Sequence, residues 1–249
     1  MKKIIYFILI IIMVSGLTGC GKNDVLKRVE KNKVIVMGTN AAFPPFEYRE
    51  GEEILGFDVE IANKIAEKLG VELKIEDMQF KGLIPALQAG KIDFIAAGMS
   101  INEERAKNVD FSDGYYEASQ VIITMKDNTE IQGPEDLKNK KIGVQLGTTG
   151  DEEASKIEGA EIIKFDTGFM AIRDLQNGKI DAVILDSEPA KKFVEGNEDI
   201  QILPNELTKE YYAIAVPKEN EEFLEIVNSV LEEMKESGEY DRLIEKYFE

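Results

Sequence analysis

The sequence predicts an α/β protein made of two doubly wound α/β lobes, and an internal repeat carries this prediction. Leu87–Asp93 recurs as Leu175–Asp181, with six of the seven positions identical. Each copy ends a helical stretch at a glycine, the residue that commonly terminates helices, and leads into an apolar run, Phe94–Ala97 or Ala182–Leu185. Such unbroken apolar runs are typical of parallel strands buried on both faces. Chance similarity between two helix–glycine–strand junctions is the alternative interpretation.

The other segments alternate between strand and helix in the same way. In the first half, the predicted elements are a strand at Val34–Met37, a helix at Phe57–Leu69 stopped by Gly70, a strand at Val71–Ile75 and a helix opening at Leu83 with Pro85 in its first turn. In the second half, they are a strand at Lys141–Val144, a helix at Thr149–Ile157, a strand at Ile162–Phe165 and a helix at Phe169–Asn177. The tail contains two helices, Glu221–Ser237 and Glu239–Tyr247. This alternation implies parallel sheets with helices on both faces.

Composition and charge exclude several classes of protein. The 249 residues include 48 acidic and 30 basic side chains, for a formal net charge of −18. We therefore expect no nucleic-acid partner, because binding to phosphates needs a basic surface, and we expect a soluble monomer. With no histidine and one cysteine, the chain lacks the usual zinc ligands and both Ser-His-Asp and Cys-His catalysis. No metal and no cofactor are expected.

Residues 1–19 have the features of a secretory signal peptide. Lys2 and Lys3 precede an apolar run from Ile4 to Val14, about half the ~20 residues that a membrane-spanning helix needs, and small residues follow. The segment after the run ends in Leu-Thr-Gly-Cys at Cys20, which resembles a bacterial lipobox. That resemblance implies cleavage before Cys20, acylation of its thiol, residues 20–28 as a tether, and a lipid-anchored protein on the extracytoplasmic face of the cell membrane. An ordinary cleaved signal with an incidental cysteine is the alternative.

The repeat also predicts where a ligand would bind. Two doubly wound lobes place ligands outside the carboxyl ends of their strands, where the lobes face each other. Gly98 lies five residues after Asp93, and Asp186 lies five residues after Asp181. We expect both to lie at strand tips that line the cleft. Asp186 suits an ammonium group, although it could instead cap the helix that follows.

Two segments near these tips are suited to an anion. Ser100 and Glu103 have capping-box spacing, so we expect a helix to begin at Ser100 and to offer free N–H groups. Arg105 follows in the next turn and can hold a carboxylate through two parallel hydrogen bonds; a solvated surface charge is the alternative. The loop Leu146–Asp151 links a strand to a helix and lacks the lysine of a phosphate-binding loop. The alternative interpretation of this loop is a tight strand–helix turn without a role in binding.

Aromatic residues follow the first two strands of the first lobe. Thr39–Tyr48 contains three aromatic residues beside two prolines, and Phe80 follows the next strand. We expect Phe43 and Phe80 to form an apolar wall, although aromatic side chains more often belong to a core. Together these groups fit a zwitterion, with its carboxylate at Arg105 and its ammonium at Asp186.

The chain resembles the polar amino-acid-binding proteins of bacterial ABC importers, solute-binding family 3, over residues 30–249. The resemblance is carried by Gly38–Phe46, Gly56–Asp58, Leu83–Gln88, Gly98–Arg105, Val109–Asp113, Gly147–Thr149 and Gly238–Phe248. It implies a periplasmic-binding-protein fold of type 2, with lobe 1 formed by 29–117 plus 213–249 and lobe 2 by 121–209. Two hinge strands are expected at about 117–120 and 211–213. The resemblance also implies that ligand closes the lobes and that the closed protein docks on an ABC permease.

The resemblance also implies roles for site residues. Arg105 would hold the α-carboxylate with the backbone N–H groups of Ser100 and Thr149. Asp186 and the Gly98 carbonyl would hold the α-amine. Phe43 and Phe80 would sandwich the side chain of the free L-amino acid.

Asn40 departs from the relatives that bind basic amino acids, which often carry an acid at its position. Gln145, where the family touches the ligand side chain, is uncharged too. We therefore expect a neutral polar substrate such as glutamine. A basic one is possible, because Glu47 or Glu152 could supply a counter-charge.

Two other functions are compatible with the same fold. It hosts a few periplasmic dehydratases and wall-cleaving enzymes, but these need a buried acid with a raised pKa, and the one clear candidate, Asp186, is assigned to the ammonium. We therefore expect no enzyme and no catalytic residue. A ligand-sensing lipoprotein is the second alternative.

Overall fold

The computed structural model describes residues 24–249. The predicted signal peptide, the predicted lipidation site Cys20 and the first part of the predicted tether lie outside the described residues. Between residues 24 and 249, no helix has both the length and the apolar character that crossing a bilayer requires.

Strands and helices alternate along the whole described chain. In chain order, the strands are β1 (Val34–Thr39), β2 (Ala42–Phe43), β3 (Glu47–Glu50), β4 (Glu53–Leu55), β5 (Glu72–Asp77), β6 (Phe94–Ile95), β7 (Val109–Phe111), β8 (Tyr116–Ala118), β9 (Gln120–Met125), β10 (Lys141–Gln145), β11 (Glu161–Phe165), β12 (Ala182–Asp186), β13 (Ile200–Glu206), β14 (Glu210–Tyr212) and β15 (Ala215–Pro217). The helices are α1 (Val25–Asn32), α2 (Phe57–Leu69), α3 (Leu83–Gln88), α4 (Glu103–Ala106), α5 (Thr149–Ala154), α6 (Gly168–Gln176), α7 (Ser187–Glu195), α8 (Glu221–Glu236) and α9 (Glu239–Phe248). Short 3-10 helices cover Phe80–Gly82 and Pro134–Leu137.

Two five-stranded sheets with the same topology form the centres of the two lobes. The sheet of lobe 1 has the order β5-β1-β6-β15-β7, and the sheet of lobe 2 has the order β11-β10-β12-β9-β13. In both, the first three strands are parallel, and the fourth runs antiparallel to its two neighbours. The two doubly wound α/β lobes are confirmed, but the expectation of wholly parallel sheets is wrong. The fourth strand runs the other way because β9 and β15 each enter a sheet directly after the chain has crossed between the lobes.

A two-stranded antiparallel ribbon of β8 and β14 connects the lobes, with Tyr212 opposite Tyr116 and Glu210 opposite Ala118. The chain leaves lobe 1 through β8 and returns through β14. These strands lie near the positions given above for the hinge, and the bending of this ribbon on ligand binding stays a prediction.

The internal repeat has the same structural role in both lobes. Gly90 and Gly178 both adopt the left-handed conformation, with φ of 67° and 66°. The carboxylate of Asp93 accepts a hydrogen bond from the Val36 backbone N–H at 2.7 Å, and that of Asp181 accepts one from the Lys141 backbone N–H at 2.7 Å. Each copy thus turns the chain out of a helix and ties the next strand to a parallel neighbour, β1 in lobe 1 and β10 in lobe 2.

The packing of α2 follows from its sequence pattern. Phe57, Ile61 and Ile65 recur every four residues and are fully buried, and Gly70 ends the helix in the left-handed conformation. The amphipathic spacing therefore places one face of the helix against the sheet. Asp58 lies on that same buried face, which brings an acid into the interior.

The conformation of Gly178 gives a test of the repeat. We expect Gly178→Ala to lower the free energy of unfolding by about 1 kcal/mol, because a left-handed backbone disfavours alanine. A new methyl group would meet no atom within 4 Å, so the loss would come from backbone strain alone. Gly196 has an equally open environment and a φ of −92°, so Gly196→Ala is the matched control and should not destabilise. Calorimetric melting should show a loss of about 2–4 °C for the first variant only; equal midpoints would contradict the account.

Candidate functional site

A pocket between the two lobes contains every residue that the sequence proposed for the site. Its lining comprises Asn40, Phe43, Glu47, Phe80, Ala97, Gly98, Ser100, Arg105, Gln145, Thr148, Thr149 and Asp186. The free space inside the pocket is about 10 Å³, room for about one water molecule. The lobes would therefore have to separate before an amino acid could enter between them.

Arg105 is a buried cation in this pocket. Its side chain lies 5.3 Å above the ring of Phe80, and the residue is 6% exposed, so the surface-charge interpretation is wrong. The guanidinium donates to the carbonyl oxygens of Ser100 at 2.7 Å and of Gly147 at 3.1 Å. Burial lowers the pKa of Arg105 from its ordinary value, and nearby acids, Glu152 first, oppose this. Because a guanidinium has five N–H donors, donors are left for an anionic ligand.

The helix that carries Arg105 begins later than the capping-box spacing predicts. Asn102 is the N-cap of α4, and its side-chain oxygen accepts a hydrogen bond from the Arg105 backbone N–H at 2.7 Å. Ser100 is not the cap, because its backbone pairs with Tyr212 and its hydroxyl donates to Glu210. The predicted start at Ser100 is therefore wrong by two residues, although Ser100 still lines the pocket.

Asp186 is a buried acid at the tip of β12. It occupies the N-cap position of α7, but its side chain caps no N–H group there. Instead, its carboxylate accepts a hydrogen bond from the Tyr212 hydroxyl at 2.5 Å. Burial raises the pKa of Asp186 to about 7, Glu210 adds to the rise, and Tyr212 and Arg105 oppose it. The geometry thus favours the ligand-facing role over the capping role, since an ammonium group would stabilise the ionised form.

The aromatic residues of the first loop divide between pocket and core. Phe43 and Phe80 line the pocket. Phe46 is fully buried in an aromatic cluster, with its ring centroid 5.0 Å from those of Tyr116 and Tyr212. Phe43, Phe46 and Phe80 are all buried. The sequence pattern therefore does not distinguish the two rings that line the pocket from the one in the core.

The loop between β10 and α5 faces Arg105 from the other lobe. Thr148 is the N-cap of α5, and its side-chain oxygen accepts the Asp151 backbone N–H. Gly147 approaches the first lobe so closely that a methyl group added to it would lie 3.3 Å from Lys81. The hydroxyl of Thr149 is buried in the pocket wall without a hydrogen-bond partner. The loop therefore offers polar atoms to a ligand as well as turning the chain.

Two side-chain amides join the lobes across the cleft. Gln145 Nε2 donates to Asn40 Oδ1 at 2.9 Å, and Asn40 Nδ2 donates to the Met78 carbonyl at 2.9 Å. Asn102 also reaches across the cleft to Glu152, at 3.1 Å. These direct contacts show that the lobes are closed against each other.

Two buried acids next to the pocket did not enter the predicted set. Glu47 is 1% exposed and lines the pocket, and Asp58 is fully buried. The Asp58 carboxylate accepts hydrogen bonds from the Gly98 backbone N–H at 2.8 Å and from the Tyr115 hydroxyl at 2.7 Å. Burial raises the pKa of Glu47 well above its ordinary value and that of Asp58 to about 7. The sequence did carry a signal for Asp58, because an acid in the apolar stripe of a helix is expected to be buried.

Comparison with known proteins gives a consistent result. Residues 35–249 match the family described as bacterial extracellular solute-binding proteins, family 3. The arginine-binding extracellular protein ArtP of Bacillus subtilis is 34% identical over 253 residues, covering 100% of this chain and 98% of the relative. A crystal structure of a mutant of ArgBP from T. maritima is 49% identical, with a TM-score of 0.87 over 90% of this chain and 98% of that chain. An ancestral arginine-binding protein bound to glutamine is 45% identical, with a TM-score of 0.83 over 87% and 98%.

The buried acids predict how stability depends on pH. In the folded protein, the pKa values of Asp58 and Asp186 are about 7, raised from an ordinary 3.8 mainly by burial. Folding therefore favours their protonated forms. This contribution is full below about pH 4 and is lost as the pH rises through about 7. Since the chain has no histidine, few other side chains titrate in this range.

We expect the melting temperature of the ligand-free protein to fall by several degrees between about pH 5.5 and pH 8. Asp186→Asn should flatten this dependence, whereas the exposed Glu104→Gln should preserve it. A melting temperature that rises across this range would show that the acids are not held in their protonated forms.

Proposed function

The chain belongs to the bacterial extracellular solute-binding proteins of family 3, and on this basis we propose that it captures one free L-amino acid between its lobes and delivers it to the permease of an ABC importer. The function of the class is amino-acid binding outside the cytoplasm for ABC transport, and the relatives named above are binding proteins. The proposal adds the residues that hold the ligand, the kind of side chain they accept and the anchoring of the protein.

One observation carries the ligand-binding proposal: a buried guanidinium and a buried carboxylate line the same small pocket. Arg105 suits the α-carboxylate, and Asp186 suits the α-ammonium. Gly98 would add its carbonyl oxygen at the ammonium end. Backbone N–H groups of Ser100 and Thr149 would support Arg105. Phe43 and Phe80 would cover the aliphatic part of the side chain.

We propose a basic side chain, arginine first, as the substrate. The zwitterion balances Arg105 against Asp186, which leaves Glu47 in the pocket wall without a cationic partner among the groups that shift its pKa. The uncharged Asn40 and Gln145 by themselves favour a neutral ligand side chain. Glu47 would supply the negative charge that Asn40 lacks, and it therefore favours a cationic ligand side chain. All three relatives reported above are named for arginine, and the ancestral one, which is bound to glutamine, makes glutamine the second candidate.

Contacts from both lobes would couple binding to closure. Arg105 lies in lobe 1, whereas Asp186, Thr149 and Gln145 lie in lobe 2, so a ligand held by all four gains most in the closed form. Only such a difference in affinity shifts the balance between open and closed forms. Charge-assisted hydrogen bonds contribute roughly 1.5–3 kcal/mol each, so a few of them support micromolar affinity, about −8 kcal/mol.

We further propose that Cys20 is lipidated and holds the protein at the extracytoplasmic face of the membrane. The lipobox-like Leu-Thr-Gly-Cys supports this proposal. The first helix starts at Val25, with Asp24 as its N-cap. Four residues separate Cys20 from Val25 and reach at most about 15 Å when extended, so the body would stay close to the bilayer.

A dehydratase-like enzyme is the second candidate, because the pocket does contain an acid with a raised pKa in Glu47. In the transport proposal, that acid meets a cationic side chain and no bond of the ligand breaks. Incubation with amino acids or prephenate-like acids, followed by product analysis, separates the two, since the transport function requires the ligand to be recovered unchanged.

Loss of the guanidinium tests the ligand-binding proposal. We expect Arg105→Ala to weaken binding of L-arginine and of L-glutamine at least about 100-fold, because the α-carboxylate loses two charge-assisted hydrogen bonds. Arg173→Ala, which removes an exposed arginine of α6, is the control and should bind as the wild type does. Isothermal titration calorimetry measures both. Unchanged affinity in Arg105→Ala would refute the assignment.

Asp186→Asn tests the ammonium end of the site. At about pH 6, where Asp186 is mostly protonated, asparagine should preserve the shape of the residue and the bond from Tyr212, so the melting temperature without ligand should change little. Amino-acid binding should weaken by about tenfold or more, since the ammonium loses its counter-ion. A loss of several degrees in the ligand-free protein would instead assign Asp186 a structural role.

A further inference from the structure

We propose that Glu47 and Asp58 act as a specificity-determining pair that holds one proton in the ligand-free pocket and exchanges this proton for the cationic side chain of the ligand. The inference rests on the proposed function and deepens it, because it states how the site selects the charge of its substrate. A neutral side chain would leave the proton in place.

The backbone forces the two carboxyl groups together. The Asp58 backbone N–H donates to the Phe46 carbonyl at 2.9 Å, which fixes the first turn of α2 against the residue before Glu47. Gly56 permits this contact, because its φ is 134° and a methyl group there would lie 2.1 Å from the Phe46 oxygen. The closeness of Glu47 and Asp58 is thus a property of the fold.

A proton is needed between these two groups. Both acids are buried, and each is among the groups that shift the other's pKa. Two ionised carboxylates, which are both acceptors, could not form a hydrogen bond with each other. The buried Glu47 Oε2 has no hydrogen-bond partner among the described residues. Asp58 already accepts donors from Gly98 and Tyr115, which favour its ionised form, so the proton belongs on Glu47.

The surrounding charges favour retention of this proton until a cation arrives. Besides each other, Glu47 and Asp58 face three titratable groups, namely Asp186 of β12, Asp77 of β5 and Tyr115 before β8. Asp77 is itself ion-paired with Arg49. Burial and the negative charges of Asp58 and Asp186 raise the pKa of Glu47. The pKa of Asp186 is in turn raised by Glu210 and lowered by Arg105, the cation of the pocket. No cation appears among the groups that shift the pKa of Glu47 or Asp58 in the part of the chain described.

The exchange balances charge and atoms. When a guanidinium enters beside Glu47, the O–H bond of the Glu47 carboxyl breaks, the proton passes to solvent, and the carboxylate pairs with the ligand cation. One positive charge enters and one leaves, so the pocket never holds two unpaired buried carboxylates, which would be costly. Asp186 also ionises fully when it binds the ammonium, and it does so for every amino acid.

Counting the protons released on binding tests the proposal. Titration calorimetry of the purified protein at about pH 7, in buffers that differ in ionisation enthalpy, gives the number of protons released per ligand from the slope of the observed enthalpy. The number of protons released when L-glutamine binds gives the contribution of Asp186 alone. We expect L-arginine to release about one proton more than L-glutamine, and its affinity to rise more steeply with pH between about 6 and 8.

The variant Glu47→Gln locates the source of the proton. It should abolish the additional proton release with arginine and weaken arginine binding about tenfold or more, a larger loss than for glutamine. Glu50→Gln changes an exposed acid on the same strand and should behave as the wild type does in both measurements.

The possible failures are distinguishable. Equal proton release by arginine and glutamine, with both bound, would overturn the exchange and leave the proposed transport function intact. Retention of the additional release in Glu47→Gln, or binding of glutamine without arginine, would overturn it too. Absence of binding by every amino acid would refute the proposed function itself. If Glu47→Gln fails to fold, the wild-type comparison of the two ligands still decides.

Discussion

The removal of charged groups from water in a closed cleft is the constraint on which the site depends. Burying an ion costs free energy unless a partner of opposite charge and hydrogen bonds compensate. Here Arg105 donates to two carbonyl oxygens, neutral donors contact Asp58 and Asp186, and burial raises the pKa of Glu47, Asp58 and Asp186. The protein alone satisfies these charges only in part. An amino acid with a positive side chain would supply the missing ones, so recognition amounts to completing a charge arrangement that the fold has prepared.

The same residues that shape the pocket also tie it to the connection between the lobes. Tyr212 belongs to the crossing strand β14 and donates to Asp186, and Ser100 donates to Glu210 of that strand. Asp58 holds the N–H of Gly98, whose φ of 50° and closeness to Phe43 leave no room for a larger residue. Ligand-facing atoms are therefore one hydrogen bond away from the ribbon that joins the lobes. Filling of the pocket and the relative position of the lobes would be linked through these contacts.

The sequence predicted those features that depend on local chemistry. The repeat Leu87–Asp93 could be interpreted because a left-handed glycine and a strand-binding aspartate are needed wherever a helix returns to a sheet. The direction of β9 and β15 could not be predicted, since an apolar strand has the same pattern in either direction and its direction is set by the crossing between lobes. Ser100 was mistaken for a cap because Asn102, two residues later, competes for the same role. The burial of Glu47 could not be predicted, because it depends on how Gly56 and α2 pack against the backbone at Phe46.

The insertion of lobe 2 between the two parts of lobe 1 has a consequence for how such a chain acquires its structure. The sheet of lobe 2 is built from residues 120–206 without interruption, whereas the sheet of lobe 1 lacks an internal strand until β15 arrives near the carboxyl end. Because domains fold as units, the second lobe can form while the chain is still emerging, but the first stays incomplete with exposed strand edges. We therefore expect the sheet of lobe 2 to form before that of lobe 1, which contains Arg105 and needs β15 to be complete.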